Sequence, residues 1–531
     1  MEARVVMAAA RQERTRNVVY GALLLFAIVL PRVVWLDSFF IQDEHLWINR
    51  SQLYAQELLS LDLKGAGQFE LSNHPAITTM TVVGPVVLIY QAVHDTAGAY
   101  LDWPLEERRA AAVWARLANG LLASVLLGFI FWGLRSLAFF KNDHWGAAVV
   151  TLMLSLEPWV LGVTRTMIVD TIMALLLALS IIYAVLSREK TSPSWRRRWV
   201  VASGVAFGLA FISKSPALIV LPVPLLLAVA YLPSQWRQTI KHFGWWWLGV
   251  FGAIAVAWPS FIIDPIIRLK GVLLNAERHT IAPEAYFWPG IHPPFFLFVL
   301  STVAAVGCVS YVAFRWWRTP VERRSLLVFD AFFVAGLLFA GVLLSLQGDH
   351  ARKNVPVLAL LSLAGAGGWL LLLRFLRVYS RGTAAALIIL QVVLALPWWP
   401  HFLTYHNPLL QMEGGKQMLV DVGNGSRLLA EYINQQPLPF TIATSMPGLV
   451  QYYLDEDRRE VQRRLPGSLR QLGDDTTHIA VPASFPARVM FDPAAKTLLE
   501  ELSAYTPETV IQFKDVPLFL IYQVESGMRQ Q

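Results

Sequence analysis

The chain has 531 residues, 55% of them hydrophobic and only 15% charged, with a mean hydropathy of +0.48 and a formal net charge of +7. A soluble domain carries nearer one quarter charged residues, so the surplus of long apolar runs reads as a polytopic membrane protein. The single cysteine, Cys308, excludes a disulfide framework and a cysteine-based metal site, and confinement of the basic residues to short loops argues against nucleic acid as a partner.

In chain order, Arg4, Arg11, Arg14 and Arg16 precede an apolar run that continues through Pro31 to Leu36 without a small-residue cleavage pattern, as an uncleaved signal-anchor does. Spans are expected at roughly 17–36, 111–134, 145–163, 170–187, 198–213, 216–232, 243–263, 293–314, 325–345, 354–373 and 383–400. The loops between them divide into one set with twenty basic residues, including Arg196-Arg197-Arg198, and an opposite set with seven. The positive-inside rule makes the first set cytoplasmic, which places the N-terminus inside and the tail outside a cell membrane. The division also decides how to treat 76–93, which is apolar enough to span. A crossing there would turn Arg196-Arg197-Arg198 outward, so the segment is expected to lie in the interface, within an outer loop over 37–110.

The same loop carries an amphipathic pattern, Leu46/Trp47, Leu53/Tyr54, Leu58 and Leu61, with Arg50, Gln52, Gln56 and Glu57 between them. A helix of that kind lies in the headgroup plane, and Asp43 stands where its N-cap belongs. Beyond residue 400 the chain changes character. Gly414-Gly415 and Pro437-Leu438-Pro439 mark loops; helix is expected at 426–435 and 494–505, and strand at 440–444, 478–481, 509–514 and 518–524. The expected organisation is thus a membrane domain over 1–400 and a small α/β domain over 401–531.

Candidate chemistry concentrates in the outer loops. Asp43 and Glu44 are adjacent carboxylates just past the first span, and their plain alternative is a solvated pair with Asp43 serving as a helix cap. Asp170 lies at the outer end of the fourth span with Arg165 five residues before it, either as a functional carboxylate or as that arginine's partner. Arg352 and Lys353, with Asp349 and His350, and Lys214 in a short turn are basic residues on the side the charge bias disfavours. Holding a lipid phosphate is one reason for them and interfacial snorkelling the other. His74, four residues after Glu70, is a weak metal candidate.

These residues resemble a known family. Asp43-Glu44-His45-Leu46-Trp47 with Arg50-Ser51 is similar to the Asp-Glu loop of the protein O-mannosyltransferase-like GT-C glycosyltransferases, whose relatives include the bacterial aminoarabinose transferases. His74-Pro-Ala-Ile-Thr-Thr-Met80 resembles their His-Pro-Gly-Val-Thr-Thr-Met pattern, Arg165 to Asp170 their Ser-Arg…Asp motif, and Gly208 to Lys214 their Gly-Leu-Ala…Lys run. His406-Asn-Pro-Leu409 with Val422-Gly423 is similar to the region after the last span. The loop Gln347 to Pro356 departs from the family pattern, with glutamine in place of lysine and no tyrosine.

The resemblance implies a GT-C fold of about 11 transmembrane helices. It implies inverting transfer of a sugar from a polyprenyl-phosphate donor to an acceptor hydroxyl on protein, glycolipid or glycan at the extracytoplasmic face. In that scheme Asp43 is the base, Glu44 orients a substrate and Asp170 supports the sugar, while Arg165, Lys214, Arg352 and Lys353 hold the phosphate, with His74 and His350 beside them. No cofactor is required, although a divalent ion is compatible with the carboxylates. The competing class is a transporter or flippase of a lipid-linked substrate, against which stands the lack of an internal repeat.

Overall fold

The computed structural model describes residues 19–37, 44–69, 76–141, 143–230, 236–266, 268, 270, 297, 299–316, 325–345, 354–399, 402–406, 425–437, 440–444, 450, 453–454, 462–465, 468–472, 474–483, 493–514, 516–524 and 528. Among the described residues the membrane part is built of helices. Helix α1 covers Val19–Val33, α2 Glu44–Leu59, α3 Ile77–His94, α4 Leu105–Arg135, α5 His144–Ser155, α6 Pro158–Thr164, α7 Asp170–Glu189, α8 Pro193–Ser213, α9 Pro222–Val229 and α10 Trp236–Ala257. They are followed by α11 Thr302–Arg315, α12 Leu327–Ser345, α13 Val355–Phe375 and α14 Arg381–Ala395.

Helix stands at each expected span, but not always as one rod. The third is broken, α5 and α6 meeting at 68° across Leu156 and Glu157. The sixth is a 3-10 turn over Ser215–Val220 followed by the short α9, because Pro216, Pro222 and Pro224 withhold the N–H groups a continuous helix needs. Among the described residues five helices are long and apolar enough to cross a membrane, or six if the bent pair is one span. α3 is one of the five, so the segment assigned to the interface has the length and composition of a crossing helix. Its second half nevertheless carries a polar network. Gln52 Nε2 donates to Gln91 Oε1 at 2.8 Å and to the Gly98 carbonyl at 3.1 Å, and the Tyr90 hydroxyl donates to Glu107 at 2.6 Å.

Close packing relies on small residues where helix backbones meet. On α8 a Cβ at Gly204 or Gly208 would strike the backbone of α10 at Trp246 or Val250, and on α13 one at Gly368 would strike α11 at Gly307. Contact between backbones replaces the hydrophobic drive that lipid cannot supply. α4 has 31 residues and so runs about 46 Å, more than the roughly 30 Å hydrocarbon core; its first turns, with Glu106, Glu107, Arg108 and Arg109, project beyond it.

After α14 the chain builds a five-stranded sheet of order β2-β1-β3-β5-β4, with β1 Ile442–Thr444, β2 Gln462–Arg464, β3 His478–Pro482, β4 Thr509–Phe513 and β5 Val516–Gln523. β1 runs parallel to both β2 and β3, while β5 pairs antiparallel with β3 and with β4. Helices α15 Ser426–Gln435 and α16 Pro493–Leu502 complete this mixed α/β unit.

Candidate active site

Of the residues singled out in the sequence, Asp43, His74, His350, Arg352 and Lys353 lie outside the described residues. Glu44, Arg165, Asp170 and Lys214 lie within them, at one end of the helical bundle.

Glu44 opens α2 and is wholly buried. Its carboxylate meets the Arg116 guanidinium on two edges, accepting from Nε at 2.8 Å and from Nη2, and it also accepts the Met167 backbone N–H at 2.9 Å. The Nη1 of Arg116 donates to the carbonyl of Leu36, just past α1. One ion pair therefore ties together the chain leaving α1, the start of α2, the middle of α4 and the loop between α6 and α7. Arg116 was not among the sequence candidates. The signal was present, an arginine within an apolar run, but its partner is 72 residues away.

Asp170 does not pair with Arg165. It is the first residue of α7, and both its oxygens accept from Lys214 Nζ, at 2.7 and 2.8 Å. Helix α8 ends at Ser213 ahead of Pro216, leaving Lys214 extended at φ −160° and ψ 130°. Both members are buried, so each charge offsets the other. Beside them the backbone N–H of Ala76 donates to the Ser213 carbonyl at 3.3 Å, and Ser213 Oγ donates to Thr78 Oγ1 at 2.8 Å. Residues 76–80, the end of the 208–214 run and Asp170 thus meet at one place, although 135 residues separate Thr78 from Ser213.

Arg165 caps α6. Its Nη2 donates to the carbonyls of Val34 at 3.0 Å and Trp35 at 2.9 Å, and its guanidinium lies 4.3 Å over the Trp399 ring. Nη1 is buried and has no hydrogen-bond partner among the described residues. Arg32 and Arg116 lie close enough to repel it. Arg32 donates through Nη1 and Nη2 to the Ile28 and Ser155 carbonyls and to Ser155 Oγ, while its Nε is buried without a hydrogen-bond partner among the described residues. Three buried arginines near one another, with Glu44 bound to one of them, leave an excess of positive charge that suits an anion.

Residues after α14 cover this end. Trp159 Nε1 donates to the Tyr405 carbonyl at 2.9 Å. From the α/β unit, the Tyr453 ring lies 5.4 Å from the Arg109 guanidinium. Burial holds the Tyr453 phenol above its ordinary value, and Arg116 and Glu44 are near enough to act on its charge. His45, beside Glu44, places Nδ1 2.7 Å from the Tyr100 hydroxyl. Burial, followed by the charges of Arg108 and Arg116, brings the His45 imidazole down to about 3. Glu157, at the α5–α6 break, accepts from Ser301 N at 3.0 Å, Ser301 Oγ at 2.5 Å and Ser362 Oγ at 3.2 Å; like Arg116 it was missed in the sequence. No group of three or more His, Cys, Asp or Glu able to hold a metal ion occurs among the described residues.

Residues 68–263 match the family model described as dolichyl-phosphate-mannose-protein mannosyltransferase. Over that stretch the match bears out the resemblance to the protein O-mannosyltransferase-like glycosyltransferases drawn from the motifs. No curated protein matches the chain. Among solved structures it is similar to apo ArnT from Cupriavidus metallidurans, at 12% identity over 98% of this chain and 99% of that one, with a TM-score of 0.45. It is also similar to the oligosaccharyltransferase AglB from Archaeoglobus fulgidus in complex with an inhibitory peptide and a dolichol-phosphate, at 11% identity over 96% and 76%, TM-score 0.47. The S. cerevisiae protein O-mannosyltransferase Pmt1-Pmt2 complex bound to the sugar donor aligns at 16% identity over 48% and 34%, TM-score 0.34.

Proposed function

We propose that this chain is a protein O-mannosyltransferase-like glycosyltransferase that moves a sugar from a polyprenyl-phosphate donor to an acceptor hydroxyl by a single inverting displacement at the extracytoplasmic face. The observation that carries the reading is the Arg165 guanidinium, buried beside Arg32 and Arg116 with Nη1 unpartnered among the described residues. An unpaired buried cation is costly, and a lipid phosphate offers it two oxygens. The phosphate is also the leaving group, so charge builds up on it as the glycosidic bond lengthens, and a fixed guanidinium stabilises that charge.

The leaving group needs no proton, so the one acid–base task is removal of the acceptor proton. We assign it to Asp43, a role worth roughly 10²- to 10⁴-fold. Glu44 acts as a positioning residue: its bonds to Arg116 and Met167 fix the chain directly after Asp43. The neutral Asp170–Lys214 pair offers N–H and carboxylate groups to sugar hydroxyls rather than a free cation to the phosphate. Arg352, Lys353, His74 and His350 are assigned to the donor phosphate through the motif resemblance alone. A divalent ion is not needed in this scheme, and EDTA treatment is expected to leave transfer intact.

The test uses the full chain in lipid with a radiolabelled polyprenyl-phosphate sugar. Asp43→Asn is expected to abolish transfer while donor binding persists. Transfer at the native rate by that variant would remove the base assignment, and movement of labelled lipid across the bilayer without transfer would favour a flippase.

A further inference from the structure

An apolar groove reaches the other end of α8. This groove of about 560 Å³ runs between α4, α7, α8 and α10, lined by Leu126, Phe129, Leu176, Leu179, Val205 and Leu209 among others. The charged side chains on its lining are Arg197 and Arg198, both at one end. Both are exposed, and neither forms an ion pair among the described residues. Aromatic rings gather at that level. Arg197 lies 5.1 Å over Trp245 and Arg198 4.9 Å over Trp195, while Trp199 packs against Trp132 at 5.3 Å and Tyr183 at 5.2 Å. Tryptophan and tyrosine at one depth mark a membrane–water boundary. The arginines therefore stand at headgroup level, and the apolar groove leads from them toward the bilayer centre.

We propose that this groove holds one anionic phospholipid, its phosphate on Arg197 and Arg198 and an acyl chain along α8. Length decides against the polyprenyl donor as the occupant. From Arg197 to Leu209 is twelve residues, about 18 Å of helix, against about 15 Å for half the hydrocarbon core. The groove thus matches a single leaflet, and its basic end is the far end of α8 from Lys214. The charge count along the sequence reads that end as cytoplasmic, the leaflet in which anionic lipids attract basic side chains.

The full chain, purified in detergent and exchanged against phosphatidylglycerol or phosphatidylcholine of identical acyl chains, is examined by native mass spectrometry. The native protein is expected to retain phosphatidylglycerol about 30-fold more tightly, the value for two arginines near an anionic surface. Arg197→Ala with Arg198→Ala should bring the ratio close to one, and the corresponding double lysine variant should keep most of it. Ala202→Trp fills the groove with both arginines in place and should lower retention of either lipid. Equal retention of the two lipids by the native protein, an unchanged ratio in the double alanine variant, or full retention in the Ala202→Trp variant would each overturn the proposal.

Discussion

Glu44→Gln removes one charge from a pair whose members are 0% and 1% exposed, and it leaves the Arg116 guanidinium buried with no counter-charge on Glu44. Breaking a buried ion pair in this way costs about 3–5 kcal/mol, most of it the desolvation of the charge left behind. At about 2.1 cal/mol/K of unfolding entropy per residue, 531 residues give about 1.1 kcal/mol/K, so the expected loss is about 2.7–4.5 °C in apparent melting temperature. Arg116→Met should cost a similar amount. The double variant leaves no buried charge at this pair, so it should lose less than the sum of the two single changes, by up to about 3 kcal/mol. Tryptophan fluorescence during thermal unfolding in detergent, at one fixed scan rate, reads all four proteins on the same scale. Transfer assays on the same samples should show kcat falling in both single variants, because the pair fixes the chain next to Asp43. Strict additivity, or single variants that melt with the native protein, would refute the account of Glu44 as an anchor.

Arg165→Ala removes the proposed phosphate ligand and should weaken donor binding by roughly 10- to 150-fold, the value of one charge-assisted hydrogen bond, as titration with polyprenyl phosphate would measure; unchanged affinity would count against the role. The His45 imidazole, lowered in the fold to about 3, binds its proton more readily when unfolded. Its stabilising contribution is therefore complete above the ordinary value near 6.5 and is lost as pH falls from there toward 3, so melting temperature should drop over that window, and less steeply in His45→Gln. Gly84→Val would drive a side chain of α3 into the Ser51 carbonyl and, at 2.7 Å, the Ala55 methyl, both on α2. Overpacking of this kind costs about 1–3 kcal/mol, and both thermal stability and transfer should suffer.

Local pattern predicted local structure well. The alternation at 440–444, 478–481, 509–514 and 518–524 marks four of the five strands, and the amphipathic runs mark α2, α15 and α16. β2 escaped because Gln462-Arg463-Arg464 has no apolar face, as suits an edge strand that needs little burial to pair. What sequence spacing misjudged was partnership. Arg165 and Asp170 are five residues apart, yet Asp170 begins a helix and its carboxylate reaches Lys214, the residue just past the neighbouring α8. Arg116 and Glu157 carried the right signal, a charge inside an apolar run, but their partners come from distant helices that only the assembled bundle brings near.

The break between α5 and α6 also bears on how the chain assembles. Glu157 is held by Ser301 and Ser362, and the Leu156 carbonyl accepts from Gln391, partners 144, 205 and 235 residues further along. Until α11, α13 and α14 have been made and docked, the bend holds a carboxylate and a free carbonyl without these bonds. The third span therefore enters the membrane early but reaches its final shape last, after the ribosome has finished the helices that complete it. Non-local contacts of this length slow assembly, and a chain halted before α14 would carry an unfinished bend in its middle.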